Sequence, residues 1–269
     1  MRLANAPIAC LAIALGLTTT AHAQKKVPNG VPILLLSGGQ REHHGYREQA
    51  FYLARELEDT GRFRVTLAED ASILESPALG KFAAIVAHVD RRDPEFRYTP
   101  AQQSALLAYV KAGHGYVSIH GADNAAADWP DEWRTMLGAT FSHNTKEGTW
   151  PDSKTAKGTF SIKIVDPNHP IAKGLADFTI ADELYYKLQI LPDVRPIATT
   201  EHAGGTWPVA WARTYGDGRV FHTPLGHVDF KAGSPDPLRT PDLLKLVIQG
   251  TDWAVEGVKL NPSQAAASR

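Results

Sequence analysis

The stretch Gly115-Tyr-Val-Ser-Ile-His120-Gly-Ala-Asp-Asn-Ala125 is a short apolar run that stops on a histidine and passes at once into small residues. A strand that breaks off in this way presents its last side chain beyond the sheet edge, where ligands bind in open α/β sheets. Two more histidines stand in comparable places. His44 closes the glycine-rich turn Ser37-Gly-Gly-Gln-Arg-Glu-His-His-Gly-Tyr46, and His227 follows a glycine in Gly218-Arg-Val-Phe-His-Thr-Pro-Leu-Gly-His227. Imidazole titrates near neutrality, so a set of histidines can supply both base and acid, and its ring nitrogens ligate metals. Glu183, in Ala181-Asp-Glu-Leu-Tyr-Tyr186, adds a carboxylate that can take a proton or bind a cation. His120, His227 and Glu183 are the candidate catalytic groups. With His44 they are also the candidate ligands of a divalent metal, the one cofactor this residue set suggests.

Each position also has a plainer reading. The turn at Gly38 to Tyr46 suits either a tight turn with solvated His43 and His44, or a helix amino terminus that holds an anion or polar oxygen. Asn124, Asp128, Trp129 and Tyr185, with His44 and His143, offer the hydrogen bonds and flat apolar faces that suit a sugar. Equally, Asp128 can cap a helix through Trp133, Trp129 can be core, and Asp182 can simply open a strand. His222 reads as a hydrogen-bonded core histidine and His169, in Asp166-Pro-Asn-His-Pro170, as structural. Glu183 and Asp128 are the obvious acidic pair for paired-carboxylate hydrolysis, which needs a separation of about 5–10 Å.

Something must hold these side chains together, and the pattern between them predicts it. Val31 to Ser37 is continuously apolar and ends in Gly38-Gly39, as a strand buried on both faces does. Ala50, Phe51, Leu53, Ala54 and Leu57 form a helical stripe stopped by Gly61. Strands near 64–69 and 82–88, a helix from Pro100 to Lys111 and a strand from Gly115 to His120 follow. This alternation predicts a mainly parallel sheet covered by helices on both faces. Strands at 159–165, 195–200, 208–214 and 219–223 come next, the last two as an antiparallel hairpin around Tyr215-Gly-Asp-Gly218, and a final helix runs from Thr240 to Val255.

Residues 1–23 read as a cleavable secretory leader, with a basic start, an apolar core and Ala21-His22-Ala23 before Gln24. Cys10, the one cysteine, lies within it, so the mature chain is expected to lack disulfides, thiol nucleophiles and thiolate-bound zinc. Residues 24–258 read as one domain and 259–269 as a frayed tail, in a periplasmic or secreted protein. The 28 basic and 29 acidic residues nearly cancel and form no long run, which argues against nucleic acid as a partner. No stretch outside the leader has about 18 uncharged apolar residues, so no membrane span is expected.

Taken in order, Gly38 to Tyr46, Tyr109 to Asn124, Asp128-Trp-Pro-Asp-Glu-Trp133, Met136-Leu-Gly138, Asp166 to Leu175, Asp182-Glu-Leu-Tyr185 and Gly218 to His227 resemble the ThuA-like family, named for trehalose utilisation. The resemblance implies a flavodoxin-like, class I glutamine amidotransferase-like three-layer sandwich. In amidotransferases of that fold the turn after the strand carries a catalytic cysteine and a later His-x-Glu completes the triad. His120 and His227-Val-Asp229 stand at the similar places, and imidazole cannot replace a thiolate that forms a thioester. The resemblance therefore implies carbohydrate work without glutaminase chemistry. The expected function is cleavage or isomerisation of a glycoside, including 3-keto forms, by histidine acid/base chemistry with a divalent metal as an aid. The alternative is a non-catalytic sugar-binding or scaffold protein on the same shell.

Overall fold

The computed structural model describes residues 30–39, 44–91, 95–125, 129–142, 153–229 and 231–260. The expected leader at 1–23, His43, Asp128, His143 and the residues beyond 260 lie outside the described residues. Strand β1 (Val31–Gly39) is apolar throughout because both of its faces are covered. Ile33 and Leu35 join the core under helices α1 (Tyr46–Asp59) and α4 (Pro241–Val255). Leu34 and Leu36 join the opposite core, under α2 (Pro100–Lys111) and α3 (Asp131–Leu137). The helices thus form two layers around one sheet. Thr99 and Gln102 cap α2 reciprocally, which fixes its start at Pro100.

The main sheet has nine strands in the order β2-β1-β3-β4-β11-β10-β9-β7-β8. Its parallel half is β2 (Phe63–Ala68), β1, β3 (Ala84–Asp90), β4 (Gly115–Ile119) and β11 (Gly218–Thr223). Its other half, β10 (Gly205–Tyr215), β9 (Arg195–His202), β7 (Lys154–Ile164) and β8 (Phe178–Tyr186), pairs antiparallel throughout. The expected mainly parallel sheet is thereby corrected. After residue 154 no described helix of more than one turn intervenes before α4, and short turns join strands only as antiparallel neighbours. The β10–β11 hairpin forms as expected and welds the two halves, since β11 runs antiparallel to β10 and parallel to β4. Two-residue strands β5 (Asn124–Ala125) and β6 (Phe141–Ser142) make a separate parallel pair.

β8 is a nine-residue strand that begins four residues before Asp182, the residue the sequence offers as a strand opener. Its inward positions are Ile180, Asp182 and Leu184, and the buried carboxylate interrupts the apolar alternation that signals a strand. Four strand spacings separate β8 from β11, about 19 Å if the sheet were flat. Yet Asp182 Oδ2 accepts a hydrogen bond from the backbone N–H of Gly226, just past β11, at 2.8 Å. The antiparallel half must therefore coil back toward the carboxyl ends of the parallel strands. No helix among the described residues is long and apolar enough to cross a membrane.

Candidate functional site

β4 ends at Ile119, and His120 opens a one-turn 3-10 helix with φ +49°, a left-handed conformation that costs a non-glycine residue about 1–2 kcal/mol. Gly121 lets the turn close, because a Cβ there would lie 2.7 Å from Tyr46 Oη. The His120 side chain is fully buried. Its Nδ1 lies 2.9 Å from the Pro224 carbonyl, which can only accept, so Nδ1 carries the hydrogen and Nε2 of the neutral ring carries the lone pair. Burial, with His227 and His44 nearby, holds this imidazole well below the usual histidine range, so the neutral ring is the resting form.

The lone pair faces the other candidates. His120 Nε2 is 3.1 Å from His227 Nδ1 and 3.8 Å from Glu183 Oε2, and His227 Nδ1 is 3.4 Å from that same oxygen. His44, reached from the end of β1, sets its ring edge-on to His227 at 4.9 Å and tilted to His120 at 5.5 Å between centroids. One ring nitrogen from each of the three histidines falls within 4.8 Å of the others. β1, β4 and β11 thus deliver three imidazoles to the carboxyl edge of the parallel half, and β8 brings the carboxylate from the antiparallel half. Glu183 is raised above the usual carboxylate range, first by burial, while Lys157 pulls the other way and Asp229 adds to the rise.

Behind the histidines lies a carboxyl that sequence reading passes over as a strand opener. Besides Gly226, Asp182 accepts from the N–H of His227 at 3.0 Å and of Glu183 at 2.7 Å, and so pins the loop that carries His227 to the strand that carries Glu183. Burial pushes it up to about 8 against the pull of these three N–H groups. Gln49, from α1, holds the same loop by donating to the Gly226 carbonyl at 3.1 Å and to Asp236 at 2.8 Å.

The remaining candidates divide. Tyr185 places its ring 4.3 Å from that of His120. Asn124 is buried just past the 3-10 turn. Trp129 packs edge-on to Trp133 at 4.7 Å and beside Tyr98, inside the core under α2 and α3. His222 is fully buried, 3.3 Å from Asp123 Oδ2 and against the Trp211 ring. His169 accepts from the N–H of Ile171 at the start of a short helical turn and leans on Trp253. A cavity of about 330 Å³ opens on the His44 side, lined by Gly38, Gly39, Tyr46, Glu69 and Arg91 among others. Another of about 260 Å³ opens on the far side, lined by Lys157, Asp182, Glu183, His227 and Ser234.

The family model described as ThuA, trehalose utilisation, matches residues 32–254. No curated protein matches the chain. Among solved structures, a ThuA-like protein from Parabacteroides merdae is similar with a TM-score of 0.70 at 22% identity, covering 87% of this chain and 92% of that one. A ThuA-like protein from Bacteroides uniformis follows with a TM-score of 0.66 at 18% identity, covering 85% and 92%. A cold-adapted β-galactosidase from Rahnella sp. R3 shares the fold over 75% of this chain and 29% of its own, with a TM-score of 0.54 at 12% identity. At these identities the likeness is one of fold.

Proposed function

Since the chain belongs to the ThuA family of trehalose utilisation, we propose that it is an exported enzyme that cleaves a glycoside already oxidised to a ketone at the carbon two places from the anomeric centre. The observation that carries the reading is the Glu183 carboxylate oxygen lying 3.4 and 3.8 Å from two imidazole nitrogens at the carboxyl edge of the parallel strands. The hydrogen between a ketone and an anomeric carbon is acidic enough for a positioned carboxylate to remove. Glu183 takes that proton, the electron pair moves through the enolate to form a carbon–carbon double bond, and the anomeric carbon–oxygen bond breaks. The same carboxyl, now an acid, returns the proton to the leaving oxygen. The ketone oxygen, where negative charge collects in the transition state, takes its hydrogen bond from His227, because His120 has given its N–H to the Pro224 carbonyl. Tyr185, against His120, forms part of the wall that orients the sugar ring.

The reading is tested with a panel of glycosides and their 3-keto derivatives. Turnover of the keto forms alone, with release of the free alcohol, is expected, and Glu183→Gln should lower kcat by about 10²–10⁴-fold with little change in KM. Full activity in Glu183→Gln overturns the assignment. Binding without turnover across the whole panel favours the non-catalytic sugar-binding alternative.

A further inference from the structure

A neutral imidazole offers one N–H and one lone pair. His120 gives its N–H to the Pro224 carbonyl, so what it presents at the cluster is a lone pair. Nδ1 of His227 and Oε2 of Glu183 crowd the same spot, at mutual distances of 3.1, 3.4 and 3.8 Å, and His44 adds a third imidazole. A single proton on His227 Nδ1 bridges one of these pairs at a time, whereas a cation placed among them can be held by all of these ligand atoms together. Ligands bound at about 2.0–2.1 Å in a tetrahedron sit about 3.3 Å apart, close to the 3.1 Å between His120 Nε2 and His227 Nδ1, whereas the three imidazoles as a set span up to 4.8 Å, so the half-buried His44 ring must swing inward to close on the ion.

From this convergence we infer that His44, His120 and His227 form the binding site of one divalent transition-metal ion, with a fourth position open toward Glu183. Three nitrogens select zinc, copper, iron, cobalt or nickel over calcium, magnesium and manganese, which prefer oxygen shells. Three protein ligands and one open position is the arrangement of a catalytic rather than a structural site. The supporting shell is in place: the Pro224 carbonyl fixes the His120 ring and tautomer, and Asp182 anchors the backbone of His227. The cavity on the His44 side gives the ion a way in. The site stands on its own geometry, and its role rests on the reaction proposed above, where the ion would neutralise the enolate oxygen while Glu183 keeps the proton transfer.

The test is uptake of metal alone. Chelator-stripped protein is titrated calorimetrically with Zn²⁺, Mn²⁺, Co²⁺ and Mg²⁺, and the dialysed product is analysed for metal content. One equivalent of a transition metal per chain, a raised Tm and an intense visible spectrum for the Co²⁺ form are expected, with no uptake of Mg²⁺. His44→Ala, at the half-buried ligand, should lose at least ten-fold in affinity while keeping the wild-type stripped Tm, and Glu183→Gln should keep one equivalent. No stoichiometric uptake by the wild type, or unchanged uptake in both His44→Ala and His227→Ala, overturns the site. Stoichiometric metal without turnover of any keto-glycoside supports the site and overturns the reaction. Full turnover by metal-free protein supports the reaction and overturns the ion's role in it, the site itself being decided by the uptake.

Discussion

His120, His44 and His227 are legible in the sequence because each is released just after an apolar strand, and Glu183 because it sits in an acidic-aromatic cluster. Their partners are not legible. Asp182 acts on Gly226 and His227, 44 and 45 positions away, through backbone groups that every residue carries, so no side-chain pattern announces the contact. Asp182→Ala strands those two buried N–H groups, each at a cost of about 1–3 kcal/mol. We expect a net loss of about 2–4 kcal/mol in urea unfolding, with keto-glycoside turnover falling as well because the His227 loop is no longer pinned. A variant as stable and as active as wild type would show that the loop holds itself.

The elements of the parallel half follow from periodicity, and α2 begins at the expected Pro100 because its cap is written in the sequence as Thr99 and Gln102. Thr99→Ala should cost about 0.5–2 kcal/mol in unfolding free energy, without effect on turnover. β8 shows itself at most from Asp182 onward, because a carboxyl occupies an inward position that packing would otherwise fill with an apolar side chain. The fit of α4 on the sheet is another tertiary matter: a Cβ at Gly250 would lie 2.2 Å from the Phe221 ring. Alanine in a helix interior gains about 1 kcal/mol over glycine, and overpacking a buried site costs about 1–3 kcal/mol or more. At that separation the clash prevails, so Gly250→Ala should lower the urea midpoint; an increase would mean that Phe221 has room to move.

Over the whole molecule, the parallel half buries an imidazole that neither half ionises. Burial depresses His88, near the end of β3, to about 3, with the Gly226 carbonyl pulling the other way. Unfolding lets that ring return to its ordinary 6.5 and take up a proton between those two values, so stability is complete above about 6.5 and falls as the pH drops toward 3. The slope contributed is up to about 1.4 kcal/mol per pH unit. His88→Gln should flatten the acid limb of unfolding free energy against pH, and an unchanged limb would assign it to other groups. The two halves of the sheet also divide the site between them, imidazoles from one and carboxylate from the other. The two parts are nonetheless tied: a descendant that exchanged the β7–β8 ribbon would lose Asp182 along with Glu183, and with it the two hydrogen bonds that seat the His227 loop, so the carboxylate cannot be replaced without rebuilding the support of one imidazole.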